Sequence, residues 1–203
     1  IKPKGKLLDV GSGRGLFLKL AQKAGYQTEG VEPNERHCHY TKSKGLHVHN
    51  GFLKNVNLNK KFDLITLWDV LEHVSNPREE LKLIKERLTE QGIFVFRVPT
   101  SGYNRLKVFL VKLLNLKLRK ILDPPIHLSF FSEKSVRMIL KQEGFKITNI
   151  KPTRSIIPLN FLPSLIRAFL YYPALILYYL SLKKIIFTID ITIYAKHENL
   201  NCL

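Results

Sequence analysis

The stretch KLLDVGSGRG, residues 6–15, constrains the fold of this chain more than any other. A five-residue apolar run stops at three closely spaced glycines, and an amphipathic run follows at once. Glycine lets the backbone turn tightly and approach a ligand with no Cβ in the way. A helix beginning directly behind it offers unpaired N–H groups to an anion. The pattern predicts a strand, a tight turn and a helix burying Phe17, Leu20, Ala21 and Ala24, with Gly25 as its stop. No Gly-Lys-Ser/Thr ending is present, which argues against a phosphate loop of the nucleotidase kind.

Strand and helix patterns then alternate. TEGVEP (28–33), HVHNGF (47–52), FDLITLW (62–68) and GIFVFRV (92–98) read as strands. Before the last of these, Asn76 and Pro77 open a helix with Glu79 and Glu80 near its start and Lys85 and Arg87 near its end, as the macrodipole favours. Leu81, Ile84 and Leu88 form its apolar stripe, and Gly92 is its predicted stop. Further on, Ser132 caps a helix closed by Gly144, followed by FKITNI (145–150) and, near the end, ITIYAK (191–196). This spacing predicts an α/β fold with a mostly parallel sheet, right-handed crossovers and helices on both faces. Without internal repeats or a low-complexity linker, residues 1–203 read as one domain. It carries a helical insertion over 101–126 and an apolar helical segment over 156–186. Because the first strand begins so soon after Ile1, a further N-terminal segment is expected.

Charge and hydropathy narrow the partners. The 203 residues carry a formal net charge of +17, and 45% are hydrophobic, which excludes a disordered basic tail. Residues 1–100 hold 17 basic and 11 acidic side chains, and residues 101–203 hold 16 and 5, so the second half is the more basic. Two cysteines make neither a disulfide scaffold nor a thiolate metal cage, and the expected setting is the cytoplasm, peripheral to the inner face of a membrane. Residues 103–122 mix Leu and Lys. In residues 161–182 only Arg167 is charged, and the uncharged run 168–182 falls short of the roughly 20 residues a span needs. The segment fits an anionic membrane surface, a homodimer contact or the domain's own core. Nucleic acid is disfavoured, since the basic residues alternate with Leu rather than with stacking aromatics.

Glu32 closes the second strand, where a carboxylate can accept hydrogen bonds from both hydroxyls of an adenosine ribose. Among the histidines, His37 and His39 diverge at a helix start. His47 and His49 share a strand face, but no third ligand follows at a recognised spacing, so no metal is expected. Arg97 ends the fifth strand, poised for a local salt bridge or for substrate.

LLDVGSGRG, VEPN, FDLITLWDVLEHV, QGIFVFRVP and HLSFFSEKSVRMILKQEGF, taken in order, resemble the class I S-adenosylmethionine-dependent methyltransferases. Within these, they are similar to the subgroup containing ubiquinone-biosynthesis O-methyltransferases. The resemblance covers about residues 5–150. It implies a Rossmann-like seven-stranded sheet in the order 3-2-1-4-5-7-6 with the last strand antiparallel, and S-adenosyl-L-methionine as cofactor. By position, Asp9, Gly11, Ser12, Gly13 and Gly15 would line the methionine end of the cofactor, and Glu32 would hold the ribose. Asn50, Gly51 and Phe52 would lie beside the adenine, where the acidic residue often found in the family is absent. Trp68 and Asp69 would close the pocket. His127 and His73 are the candidate bases or acceptor-positioning residues. Glu72 reads as a helix-start group behind them. The implied reaction is O-methylation of a small or lipid-linked acceptor by direct displacement. Two other readings stand beside it: a nicotinamide-dependent oxidoreductase, which leaves DVLEH and HLSFF unexplained, and a non-catalytic membrane- or RNA-binding module on the same fold.

Overall fold

The computed structural model describes residues 5–101, 128–153, 172, 175–176, 178–181 and 190–198. His127, nearly all of 101–126 and most of 156–186 lie outside the described residues.

Seven strands form one sheet: β1 (Lys6–Val10), β2 (Gln27–Glu32), β3 (Val48–Asn50), β4 (Phe62–Trp68), β5 (Leu88–Pro99), β6 (Phe145–Thr153) and β7 (Asp190–His197). Their order is β3-β2-β1-β4-β5-β7-β6. The pairs among β1 to β5 are parallel, and β7 runs antiparallel to both neighbours, β5 and β6. This is the order the sequence resemblance implies. The reversed strand also separates it from the 3-2-1-4-5-6 sheet of a dinucleotide fold.

Alternation along the strands sends side chains to two faces. Leu8, Ile65, Phe94 and Phe96 pack on one face with Leu81 and Ile84 of α3 (Pro77–Arg87) and with Val136 and Leu140 of a later helix. Leu7, Leu64 and Val95 pack on the other with Leu18 and Ala21 of α1 (Leu16–Lys23). Leu81 and Ile84 are wholly buried, each stabilising the fold by about 1.5–3 kcal/mol. Two further helices among the described residues are α2 (Glu35–Ser43), capped by the Asn34 side chain on the His37 N–H, and α4 (Glu133–Gln142), capped by Ser132 with Ser135 returning the bond.

Two local expectations change. The buried pair of α1 is Leu18 and Ala21, whereas Leu20 and Ala24 face solvent. The glycine turn makes Leu16 the first helical residue, and this phase points Leu18 inward. Helix α3 ends at Arg87, before Gly92. Leu88 takes extended backbone and pairs with Phe62, and the next paired residue is Ile93, so residues 89–92 bulge from the ladder.

Candidate active site

The parallel strands end together at one edge of the sheet, where α/β folds leave a crevice for ligands. A cleft of about 510 Å³ opens there, and Gly11, Glu32, Phe52, Asp69, Val70 and His73 line it. Its floor is the turn after β1. The N–H groups of Gly11 and Ser12 both donate to Val31 O of β2, at 2.8 and 3.1 Å, tying the turn to the neighbouring strand. Gly11 has φ +73°, and a Cβ there would overlap Val70 Cγ2 on the cleft wall. Gly15 has φ +72°, and a Cβ would lie 2.6 Å from Thr41 Cγ2.

Gly11→Ala is therefore expected to displace Val70 as well as strain the turn. The left-handed backbone alone costs about 1–2 kcal/mol for a non-glycine residue. With the overlap, a loss of about 2 kcal/mol and a Tm lower by roughly 4–8 °C follow. Thermal unfolding of the two proteins side by side checks this, and an unchanged midpoint contradicts it.

Glu32 stands at the centre of the arrangement. Its Oε2 accepts from the Gly13 N–H at 2.7 Å and its Oε1 from the Asn34 N–H at 2.8 Å. A carboxylate offers about four lone-pair sites, so these bonds fix its orientation and leave about two for hydroxyl donors in the cleft. The carboxylate is buried yet borders the cleft. Across from it, the Asn50 amide donates to Glu32 O at 3.0 Å and the Gly51 N–H to the same oxygen at 3.1 Å. These bonds hold the β3 turn so that Gly51 and Phe52 line the cleft, with Phe52 59% exposed.

Asp9 lies behind the turn. It is buried and accepts from Thr66 Oγ1 at 2.7 Å. Burial pushes its carboxyl up to about 7, opposed by the Thr66 bond and reinforced by the charge of Glu32.

At the far end, Asp69 follows β4 with φ +56°, a conformation Asp tolerates better than most residues. The Arg97 guanidinium donates to both of its oxygens, Nε to Oδ1 at 2.7 Å and Nη2 to Oδ2. Arg97 thus takes the salt-bridge role. Glu72 is buried beneath this pair, and its Oε2 has no hydrogen-bond partner among the described residues. Burial raises its carboxyl to about 7, with Asp69 and Asp190 adding to the rise and Arg97 opposing it. The backbone oxygen of Glu72 accepts from the Leu128 and Ser129 N–H groups at 2.8 and 3.1 Å, bringing HLSFF against DVLEH. His73 is exposed and lines the cleft between them.

Of the residues singled out by sequence, Gly11, Glu32, Gly51, Phe52, Asp69 and His73 line this cleft. Asp9, Ser12, Gly13, Gly15 and Asn50 support its walls from behind. Trp68 turns to the other face of the sheet, where its ring meets Phe17 at 5.0 Å between centroids. Sequence reading missed Thr41 and Thr66, whose hydroxyls bond Gly13 O and Asp9. It also missed Val70 and Glu80 in the lining. No spacing rule marks a threonine that reaches a loop from another element.

The residues present fit an adenosine-bearing cofactor. The turn can pack this closely on Val70 at the cleft wall only because Gly11 lacks a Cβ, and an oriented, buried carboxylate with open acceptor sites faces the same cleft. Residues 1–150 match the family model described as a methyltransferase domain. The chain belongs to this family of methyltransferase domains. Ubiquinone biosynthesis O-methyltransferase from Actinobacillus pleuropneumoniae serotype 5b is 30% identical over 103 residues, covering 45% of this chain and 44% of that protein. The enzyme of the same name from Pasteurella multocida is 29% identical over 108 residues, 45% of each. The chain thus aligns with less than half the length of these relatives. Among solved structures, an S-adenosylmethionine-dependent methyltransferase from Mesorhizobium loti superposes with TM-score 0.67 at 16% identity, covering 97% of this chain and 94% of that one. Magnesium protoporphyrin IX methyltransferase from Synechocystis, solved with bound S-adenosylhomocysteine (SAH), gives 0.63 at 16%, covering 95% and 74%. At such identities the likeness is one of fold: that of the S-adenosylmethionine-dependent methyltransferases.

Proposed function

We propose that this methyltransferase-domain protein moves a methyl group from S-adenosylmethionine to an oxygen of a small or lipid-linked acceptor. The observation that carries the reading is the Glu32 carboxylate, aimed by two backbone N–H groups into a cleft floored by Gly11. When bound, S-adenosylmethionine supplies a methyl group on a sulfonium, whose departure leaves a neutral thioether. The chain's task is then chiefly to hold and align. Glu32 accepts the ribose hydroxyls, and the Gly11–Gly15 turn receives the amino-acid end. Gly51 and Phe52 flank the base, with the Phe52 ring available to pack on it. Asp69, fixed by Arg97, borders the acceptor end of the cleft. His73 faces the same space and is the proton acceptor or acceptor-positioning group that a hydroxyl substrate needs. His127 shares that proposed role from sequence alone.

Three observations support a greasy acceptor drawn from a membrane surface. The second half of the chain is the more basic. The Tyr178 hydroxyl donates to Ile150 O of β6 at 3.0 Å, so the apolar segment touches the domain at this residue. Beside it, Ile176, Tyr179 and Leu180 are 59–77% exposed. Among the described residues no helix is long and apolar enough to cross a membrane.

The test is transfer of radiolabelled methyl from S-adenosylmethionine into a fractionated lipid extract, with Glu32→Ala as the control. Label in a lipid fraction that disappears with the variant is the expected result. Label confined to RNA or protein overturns the acceptor class. No label in any fraction, together with no binding of the methyl donor, overturns the reaction.

A further inference from the structure

Three potential metal ligands converge at the edge of the sheet, away from the cleft. Strand β3 is the outermost strand, and its register sets Gly30 beside Val48 and Val31 beside His49. By alternation, Glu29, His47 and His49 project from the same face. Glu29 Oε2 is 3.0 Å from His49 Nε2 and 3.5 Å from His47 Nδ1, and the three ligand atoms lie within 4.8 Å of one another. Two ligands of a tetrahedral zinc ion, each about 2.0–2.1 Å from the metal, stand about 3.3 Å apart, a value these distances bracket.

We infer that Glu29, His47 and His49 form a Zn²⁺ site that clamps edge strand β3 to β2. The donor set is two imidazoles and one carboxylate, borderline ligands suited to Zn²⁺ and poorly suited to Mg²⁺, which prefers oxygen alone. Lys60 pairs with the other oxygen, Oε1. It therefore orients the carboxylate while leaving Oε2 to the metal, the kind of outer contact that stiffens a metal ligand. Glu29 is mostly buried, which fixes one ligand. The His47 side chain is 64% exposed, so its ring has room to turn towards the metal. The rings border a surface hollow shared with Asn50 and Asn55, which gives solvent access to the fourth coordination position. The site involves none of the cleft-lining residues, so it stands apart from the proposed methyl transfer.

The alternative is a plain hydrogen-bonded cluster in which the histidines and Lys60 only neutralise Glu29. The two readings separate on titration of the full chain, stripped with EDTA, with ZnCl₂ and with MgCl₂ by calorimetry. The expected result is one Zn²⁺ event with no Mg²⁺ counterpart, accompanied by a rise in Tm. The double variant His47→Ala/His49→Ala is expected to weaken that event by about tenfold or more and to abolish the Tm rise. Circular dichroism verifies that it folds, and Glu29→Gln gives a second, independent loss. Replacing zinc by Co²⁺ should produce visible d–d absorption in the parent and none in the double variant. Identical Zn²⁺ titrations of parent and double variant, or no Zn²⁺ event in the parent, overturn the site.

Discussion

Glu32→Ala should all but abolish binding of S-adenosylmethionine. The substitution removes the proposed acceptors for two ribose hydroxyls, and hydrogen bonds to a charged group contribute about 1.5–3 kcal/mol each. The loss is then about 3–6 kcal/mol, a roughly 10²–10⁴-fold rise in Kd. It also releases the Gly13 and Asn34 N–H groups, so the turn and the start of α2 lose a shared anchor. Glu32→Gln separates these effects. Its amide oxygen can still accept from one backbone group, so the fold should be close to parent while affinity still drops by about tenfold or more. Calorimetric titration with S-adenosylhomocysteine gives both numbers. If Glu32→Ala binds within threefold of the parent, the ribose assignment fails, and the cleft must receive its ligand in another orientation.

The second large effect concerns pH. Asp9 and Glu72 are both buried with carboxyls raised to about 7, whereas in the unfolded chain they titrate near 4. Between those values the folded chain binds more protons than the unfolded one, so stability must fall as pH rises. Each group's contribution is full below about pH 4 and lost once pH passes about 7, and the part lost between pH 5 and 8 is on the order of 2–3 kcal/mol apiece. The lysine-bound Glu29 is held below its ordinary value: burial opposes this, but Lys60 and His49 outweigh it, so its contribution runs the other way at lower pH. Differences between variants isolate the two raised groups. Asp9→Asn keeps an oxygen for Thr66, and Glu72→Gln keeps the side-chain length without a charge to desolvate. Relative to the parent, each should gain on the order of 2–3 kcal/mol between pH 5 and 8 in urea unfolding. Parallel parent and variant profiles across that range would show that these carboxyls ionise in the native state much as they do in water.

The strand order followed from the resemblance to a known family, whereas the placing of Glu32 beside the glycine turn was legible because it rests on local rules. Glycines between an apolar run and a helix imply a turn, and an acid closing the next parallel strand must arrive beside it. Phase was harder to read. In α1 the choice between Leu18 and Leu20 as the inward residue depends on where the turn releases the helix, which the alternation of apolar residues leaves open. The end of α3 depended on Leu88, a good helix former drawn into an extended conformation by its place beside Phe62. Contacts between distant elements, such as Thr41 with Gly13 or Arg97 with Asp69, have no signature in spacing. The partnership of Glu29 with His47 and His49 was hidden for the same reason, since it forms across two strands rather than along one.

Strand β7 fills a slot rather than extending a rim. Pairing on one side with β5 and on the other with β6, it is made after both. While the chain is still emerging from the ribosome, those two strands each keep an open edge beside residues as apolar as Phe94, Phe96 and Ile150. Such edges recruit other strands readily. A nascent chain that lacks residues 190–197 therefore leaves both of these edges unpaired until the last strand is made.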